Sequence, residues 1–222
     1  MEQNEKDFLL RGITTAVTKK AFIQTLFLLT VTLIPTIFIG GFSIVITLMS
    51  IAIIALYVSN VYAKFDDKGI IKGYVVFLCS GIEALCLTIS WLLLGTRIQF
   101  LISPQKYHMA IIAGLMLGGG VFSAIYILLI KALIKKGHYR NLKAMQGSSS
   151  FISMGVLGMM LGRVFFKEVS SESALQFLAG AAFVLASIFL IGLFGLCKYY
   201  IIKNNEELMR ELEEGMEITE SK

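Results

Sequence analysis

Apolar residues run along this chain in blocks of about twenty, with few polar positions inside them. That is neither the alternation of a half-buried strand nor the single stripe of a soluble helix. The blocks cover residues 21–39, 42–62, 74–94, 109–134, 151–166 and 175–202. A hydrocarbon core about 30 Å thick takes about 20 apolar residues per helix, so the pattern predicts six membrane-crossing helices. Only Gly40-Gly41 separates the first two blocks. Fused, they would make a helix of about 60 Å, so the chain is expected to reverse there, with the glycines supplying the turn dihedrals. The fifth block is short and contains Arg163. It crosses only if 147–150 extend it to 147–166, and a re-entrant or tilted interfacial segment is the alternative.

Composition agrees with the pattern. Of 222 residues, 56% are hydrophobic and 16% charged, against about 25% charged in an ordinary soluble domain. A soluble enzyme, a disordered tail and a disulfide-stapled secreted domain are excluded. The expected fold is an all-α integral membrane protein of six transmembrane helices, arranged as three consecutive hairpins. Charge then orients it. Sixteen of the 20 Lys and Arg fall on the side of the N-terminus, counting residues at helix ends. The other side has Arg97, Lys106, Arg163 and Lys167. Positive charge accumulates on the cytoplasmic side, which predicts a multi-pass protein of the cytoplasmic membrane with both termini inside. The net charge of +5 is therefore an orientation signal. No basic face with interleaved aromatics remains for nucleic acid, and the lipid bilayer is the expected partner.

Three regions follow: a cytoplasmic lead-in over 1–20, the six-helix domain over 21–202, and an acidic cytoplasmic tail over 203–222. The lead-in mixes acids and bases and is followed by a full-length span with no cleavage pattern, so it reads as uncleaved. Within it, residues 7–17 form either an amphipathic interfacial helix or a flexible entry. Residues 204–214 read as a short acidic helix with Leu208 and Leu212 four apart, either solvated or partner-binding.

Chemical motifs are scarce. Cys79 and Cys86 are about 10 Å apart along one helix, too far for a disulfide, and no Cys-x-x-Cys occurs. His108 and His138 fall on opposite sides of the membrane. Asp66-Asp67 sits between lysines and reads as a solvated turn. Metalloprotease, nucleophile-elbow and P-loop patterns are absent. No catalytic residue, metal site or cofactor is expected, and the reading is non-enzymatic.

The polar exception is Glu83, near the middle of the third span. A carboxylate there is costly and should face the bundle or a wet cavity. Ser80, Glu83, Leu87 and Ser90 fall within about 80° on a helical wheel, a semi-polar stripe with Cys86 at its edge. Glu83 is either a proton- or cation-binding group or a hydrogen-bonded tie between helices. Arg163 is its candidate partner, although it could equally snorkel to the outer interface, as Lys131 and Lys198 are expected to do at the inner one.

Small residues give a second signal. Gly114 and Gly118 in the fourth span, and Gly155, Gly158 and Gly162 in the fifth, form rows that admit close helix approach, as do Ala182 and Ala186 in the sixth. They predict tight packing of helices four to six, or contact with a membrane-protein partner or a second copy of the chain. Met154, Met159 and Met160 read as core filling. Pro35 frees the carbonyl of Val31 and should kink the first span, with Thr30, Thr32 and Thr36 at hand for exposed backbone groups. Residues 97–104 form an apolar external connection expected to lie on the outer interface or cap the bundle. The leading expectation is an accessory or interaction protein, either a transport-complex subunit or a toxin-immunity-like protector. The alternative is a small transporter or channel that uses Glu83.

Overall fold

The computed structural model describes residues 8–9, 17–71, 73–103, 108–135, 171–206 and 208–210. The chain is mostly helical and the all-α class is supported. Strand β1 (Val17–Thr18) leads into α1 (Lys19–Phe38), followed by α2 (Ile44–Tyr62), strand β2 (Ile70–Ile71) and α3 (Val75–Ile102). Helix α4 (His108–Lys135) comes next, then α5 (Ser171–Leu190), which continues through a 3-10 turn at Ile191–Leu193 into α6 (Phe194–Lys203). Four helical stretches among the described residues are long and apolar enough to cross a membrane: α1, α2, α3 and the continuous Glu172–Lys203. The 147–166 span lies outside the described residues, as do Met154, Met159, Met160 and His138.

Helix α1 starts where the Thr18 hydroxyl accepts from the Ala21 amide, satisfying one of the four donors a helix N-terminus leaves open. Pro35 lies inside α1, which stays helical to Phe38. The threonines around it do not serve the Val31 carbonyl. Thr30 donates to Leu26, Thr32 to Leu28 and Leu29, and Thr36 to Thr32, the short-range bonds hydroxyls make on their own helix. The chain then reverses as expected, with Gly40 and Gly41 at φ of 71° and 94°, a region open mainly to glycine.

Two expectations give way here. Val17, expected to end either an amphipathic helix or a flexible entry, instead pairs with Ile71 in a two-residue antiparallel bridge. The Asp66 carboxylate makes the returning turn by accepting from the Ile70 amide at 2.7 Å, and Asp66 and Asp67 are both exposed. Residues 97–102 belong to α3 rather than to an external connection. Helix persists because Leu94 and Ile98 bury against Ala179 and Arg97 is anchored to the α1–α2 turn. At 28 residues, α3 is about 42 Å long.

Helix α3 is the centre of the bundle. One of its faces, with Cys79, Cys86 and Leu87, packs against Leu29, Leu33, Ile53 and Tyr57 of α1 and α2. Another meets α5 and α6 in antiparallel register. A Cβ placed on Gly95 would lie 2.8 Å from the Phe183 ring, on Gly192 2.5 Å from Ala84, on Gly81 2.5 Å from Leu196, and on Gly195 2.8 Å from the Phe77 carbonyl. Ala182 and Ala186 are buried, as expected. Outward faces of α1 and α2 carry Phe27, Phe38, Val45 and Leu48, each more than 60% exposed. Such continuous apolar surface suits lipid and not water.

At the end where α3 begins, Leu9, Phe77, Ile202 and Leu208 form one buried cluster with Tyr74, Tyr199 and Met209 around it. The start of the acidic tail is therefore seated on the bundle through Leu208, while Lys203, Asn204, Glu206 and Arg210 stay exposed. Lys198 does not snorkel away. It donates to the Phe8 carbonyl at 2.8 Å and lies 4.4 Å from the Phe8 ring and 5.0 Å from the Phe77 ring, a cation–π arrangement. Leu208→Asp is expected to release residues 204–210. Amide hydrogen exchange should rise there by at least tenfold while α1 to α3 keep their protection.

Candidate functional site

The polar feature at the heart of the bundle is built by three helices. Glu83 sits on α3 with Cys79 one turn before it and Cys86 one turn after, both almost fully buried. Thr25 of α1, 3% exposed, donates its hydroxyl to Glu83 Oε1 at 2.7 Å. Tyr57 of α2, 1% exposed, lies within electrostatic range of Glu83 and beside Thr25. Its ring stacks on Phe22 at 5.2 Å, and its hydroxyl donates to the Phe22 carbonyl over 3.5 Å.

The local sequence accounts for this placement. Thr25, Leu29, Thr32 and Thr36 recur at helical spacing on the buried face of α1, as do Ser50, Ile53, Tyr57 and Val61 on α2. Thr25 stands on that buried face of α1 and from there reaches the carboxyl on α3. Glu83 thus faces the bundle, as expected. Its partner is Thr25, which the sequence reading passed over because a threonine in an apolar helix carries no mark distinguishing it from Thr30, Thr32 or Thr36. Arg163 lies outside the described residues.

The rest of the expected stripe is divided. Ser90 is buried and donates to the Cys86 carbonyl at 2.7 Å, and Ser80 donates to the Phe77 carbonyl at 3.3 Å while lying against Gly195 of α6. Neither serine hydrogen-bonds Glu83. Cys86 points its thiol at the Ile53 carbonyl, 3.7 Å away, tying α3 to α2. Among the described residues no cluster of His, Cys, Asp and Glu could hold a metal ion.

Of the five expected packing glycines, two lie among the described residues. Gly114 and Gly118 lie on an exposed face of α4 with Ala113, Leu117 and Val121, and among the described residues no atom comes within 4 Å of a Cβ added at either. Gly155, Gly158 and Gly162 are outside the described residues. Close approach instead falls to Gly81, Gly95, Gly192 and Gly195 between α3 and the C-terminal helices. These were missed because they do not recur four apart as Gly114 and Gly118 do.

On that same face of α3, Thr88 is buried and its hydroxyl has no hydrogen-bond partner among the described residues. A buried unmet polar group costs about 1–3 kcal/mol. Thr88→Val, which keeps the shape and removes the hydroxyl, is expected to hold or raise the unfolding temperature in detergent; a fall of several degrees would contradict this. Comparison with known family models, curated proteins and solved structures finds no match.

Proposed function

We propose that this is a six-span, non-enzymatic protein of the cytoplasmic membrane that works by helix-to-helix contact, as an accessory subunit of a transport complex or a protector against a membrane-active toxin. The observation that carries this reading is the outward face of α4. Ala113, Gly114, Leu117, Gly118 and Val121 form an apolar, exposed surface notched by two glycines, the shape that lets a second membrane helix approach closely.

The described geometry supports the three-hairpin topology with both termini on one side. β1 and β2 hold the start of α1 beside the start of α3, and Leu9 and Leu208 share a cluster at that end. α5 and α6 run antiparallel to α3. Four residues separate Ser103 from His108, so α4 starts near the far end of α3. Its Tyr126 hydroxyl reaches the Ile191 carbonyl of the α5–α6 junction, which sets α4 parallel to α5. A span over 147–166 would be consistent with Lys135 and Ser171 lying at opposite ends of the bundle. The excess of Lys and Arg at the shared end supports its assignment to the cytoplasm.

The test is affinity purification from native membranes of the wild-type protein and of a Gly114→Leu/Gly118→Leu variant. A membrane protein co-purifying in fixed proportion with the wild type should be lost from the variant. An unchanged set of co-purifying proteins would sink the accessory reading. A second reading, a small transporter or channel, is favoured by the position of Glu83 at the contact of three helices. Proteoliposomes carrying wild-type protein should then show a proton or cation flux that Glu83→Gln lowers by at least tenfold; absence of flux from both would remove it.

A further inference from the structure

We infer that Glu83, with Thr25 and Tyr57, forms an intramembrane proton-binding site that exchanges with the nearer end of the bundle, where α3 begins. The inference shares its site with the transporter reading and deepens it by naming the ligand and the side of access. Thr25 occupies Glu83 Oε1, while Oε2 accepts no hydrogen bond among the described residues, and Oε2 is where the proton sits. A neutral carboxyl needs little more than one donor in apolar surroundings, whereas a carboxylate needs several donors or a cation. Among the described residues the groups facing it are neutral: Thr25 from α1, Tyr57 from α2, and Cys79 and Cys86 from α3 itself. Lys64, after α2, is near Cys79 and forms no ion pair with Glu83. Three oxygen-bearing side chains fall short of the six or more oxygens a calcium or magnesium ion takes.

The two directions from Glu83 differ in length and in polar groups. Outward of Glu83, Leu29, Ile53, Cys86 and Leu87 close the seam. The next hydroxyls on the side of α1 and α2, on Thr32, Ser50 and Ser90, are buried and each donates to its own helix. Ser90 is about 10 Å further along α3, beyond hydrogen-bond reach, so among the described residues no hydroxyl relay continues outward on this face. Inward, Glu83 is about 12 Å from the start of α3, against about 28 Å to its end.

The test treats the full-length protein in proteoliposomes with dicyclohexylcarbodiimide, an apolar reagent that modifies protonated carboxyls, and locates the adduct by peptide mass spectrometry. Glu83 should be modified in preference to the other acids among the 15. Modification should decline as the pH is raised and vanish in Glu83→Gln. Infrared spectra should show a protonated-acid carbonyl band that the same variant, isosteric and neutral, removes. Absence of both adduct and band would overturn the inference. So would protection by sodium at fixed pH, which would make this a metal-cation site. Modification that appears only after Arg163→Gln would overturn it too, by showing an ion pair. Modification without flux leaves the proton site standing and removes the transporter; flux without modification does the reverse.

Discussion

Gly195→Ala is expected to destabilise the helical bundle by about 1–3 kcal/mol, the usual cost of overfilling a packed contact. The added methyl would lie 2.8 Å from the Phe77 carbonyl oxygen and 3.2 Å from the Gly81 amide nitrogen. Both are backbone atoms of α3, so no side chain can rotate aside, and α3 and α6 must separate. Gly81→Ala meets the same contact from the other helix, with the Leu196 backbone nitrogen at 2.8 Å. The double variant should cost less than the two single costs together, because both relieve one contact by one displacement. Gly114→Ala is the opposite case. No described atom is close, and removing glycine from a helix interior gains roughly 0.5–1 kcal/mol, so stability should hold or rise. Thermal unfolding of the three variants in one detergent decides the matter. If Gly114→Ala lost stability and Gly195→Ala did not, the close helix contact would belong to α4 and the α3–α6 register would be wrong.

That contrast also marks what the amino-acid pattern could reveal. Apolar block length located α1, α2, α4 and the C-terminal helix to within a few residues, because hydrocarbon thickness and helix rise leave little choice. The Gly40-Gly41 reversal was legible for the same reason: two helices of that length cannot be one. The end of α3 was not legible. Its last turns depend on Ile98 meeting Ala179 and on Arg97 meeting the α1–α2 turn, contacts between positions about 60 to 80 residues apart. The Thr25–Glu83 bond is of the same kind. A glutamate in the middle of an apolar span advertises that it needs a partner, and nothing local says which hydroxyl supplies it. Glycine rows were read as packing surfaces wherever they repeat four apart, yet one glycine opposite a neighbouring backbone suffices, as at Gly81. The repeat on α4 lies on an exposed face, the surface on which the proposed accessory role rests.

Arg97→Gln is expected to cost about 2–3 kcal/mol, the range for losing hydrogen bonds made by a charged donor, and to loosen the α1–α2 turn. Its Nη2 donates to the Gly41 carbonyl at 2.7 Å and to that of Ile39. These lie at the C-terminal end of α1, where carbonyls have no helical donor and the helix dipole favours a cation. A guanidinium covers both at once, whereas a lysine ammonium brings a point charge without that planar fork, so Arg97→Lys should recover only part of the loss. The neighbourhood makes the contact hard to replace. A Cβ on Gly40 would lie 3.8 Å from Nη2 and 3.9 Å from the Leu101 side chain, so arginine and turn are already in contact. In the proposed membrane orientation this turn faces outward, and protease added outside sealed spheroplasts can reach it. Arg97→Gln should make residues 39–43 cleavable and raise their amide exchange, with residues 70–71 at the opposite end unaffected. Unchanged stability and unchanged protection at the turn would show that Arg97 does not clasp it, and the helical extension of α3 past Leu94 would need a different cause.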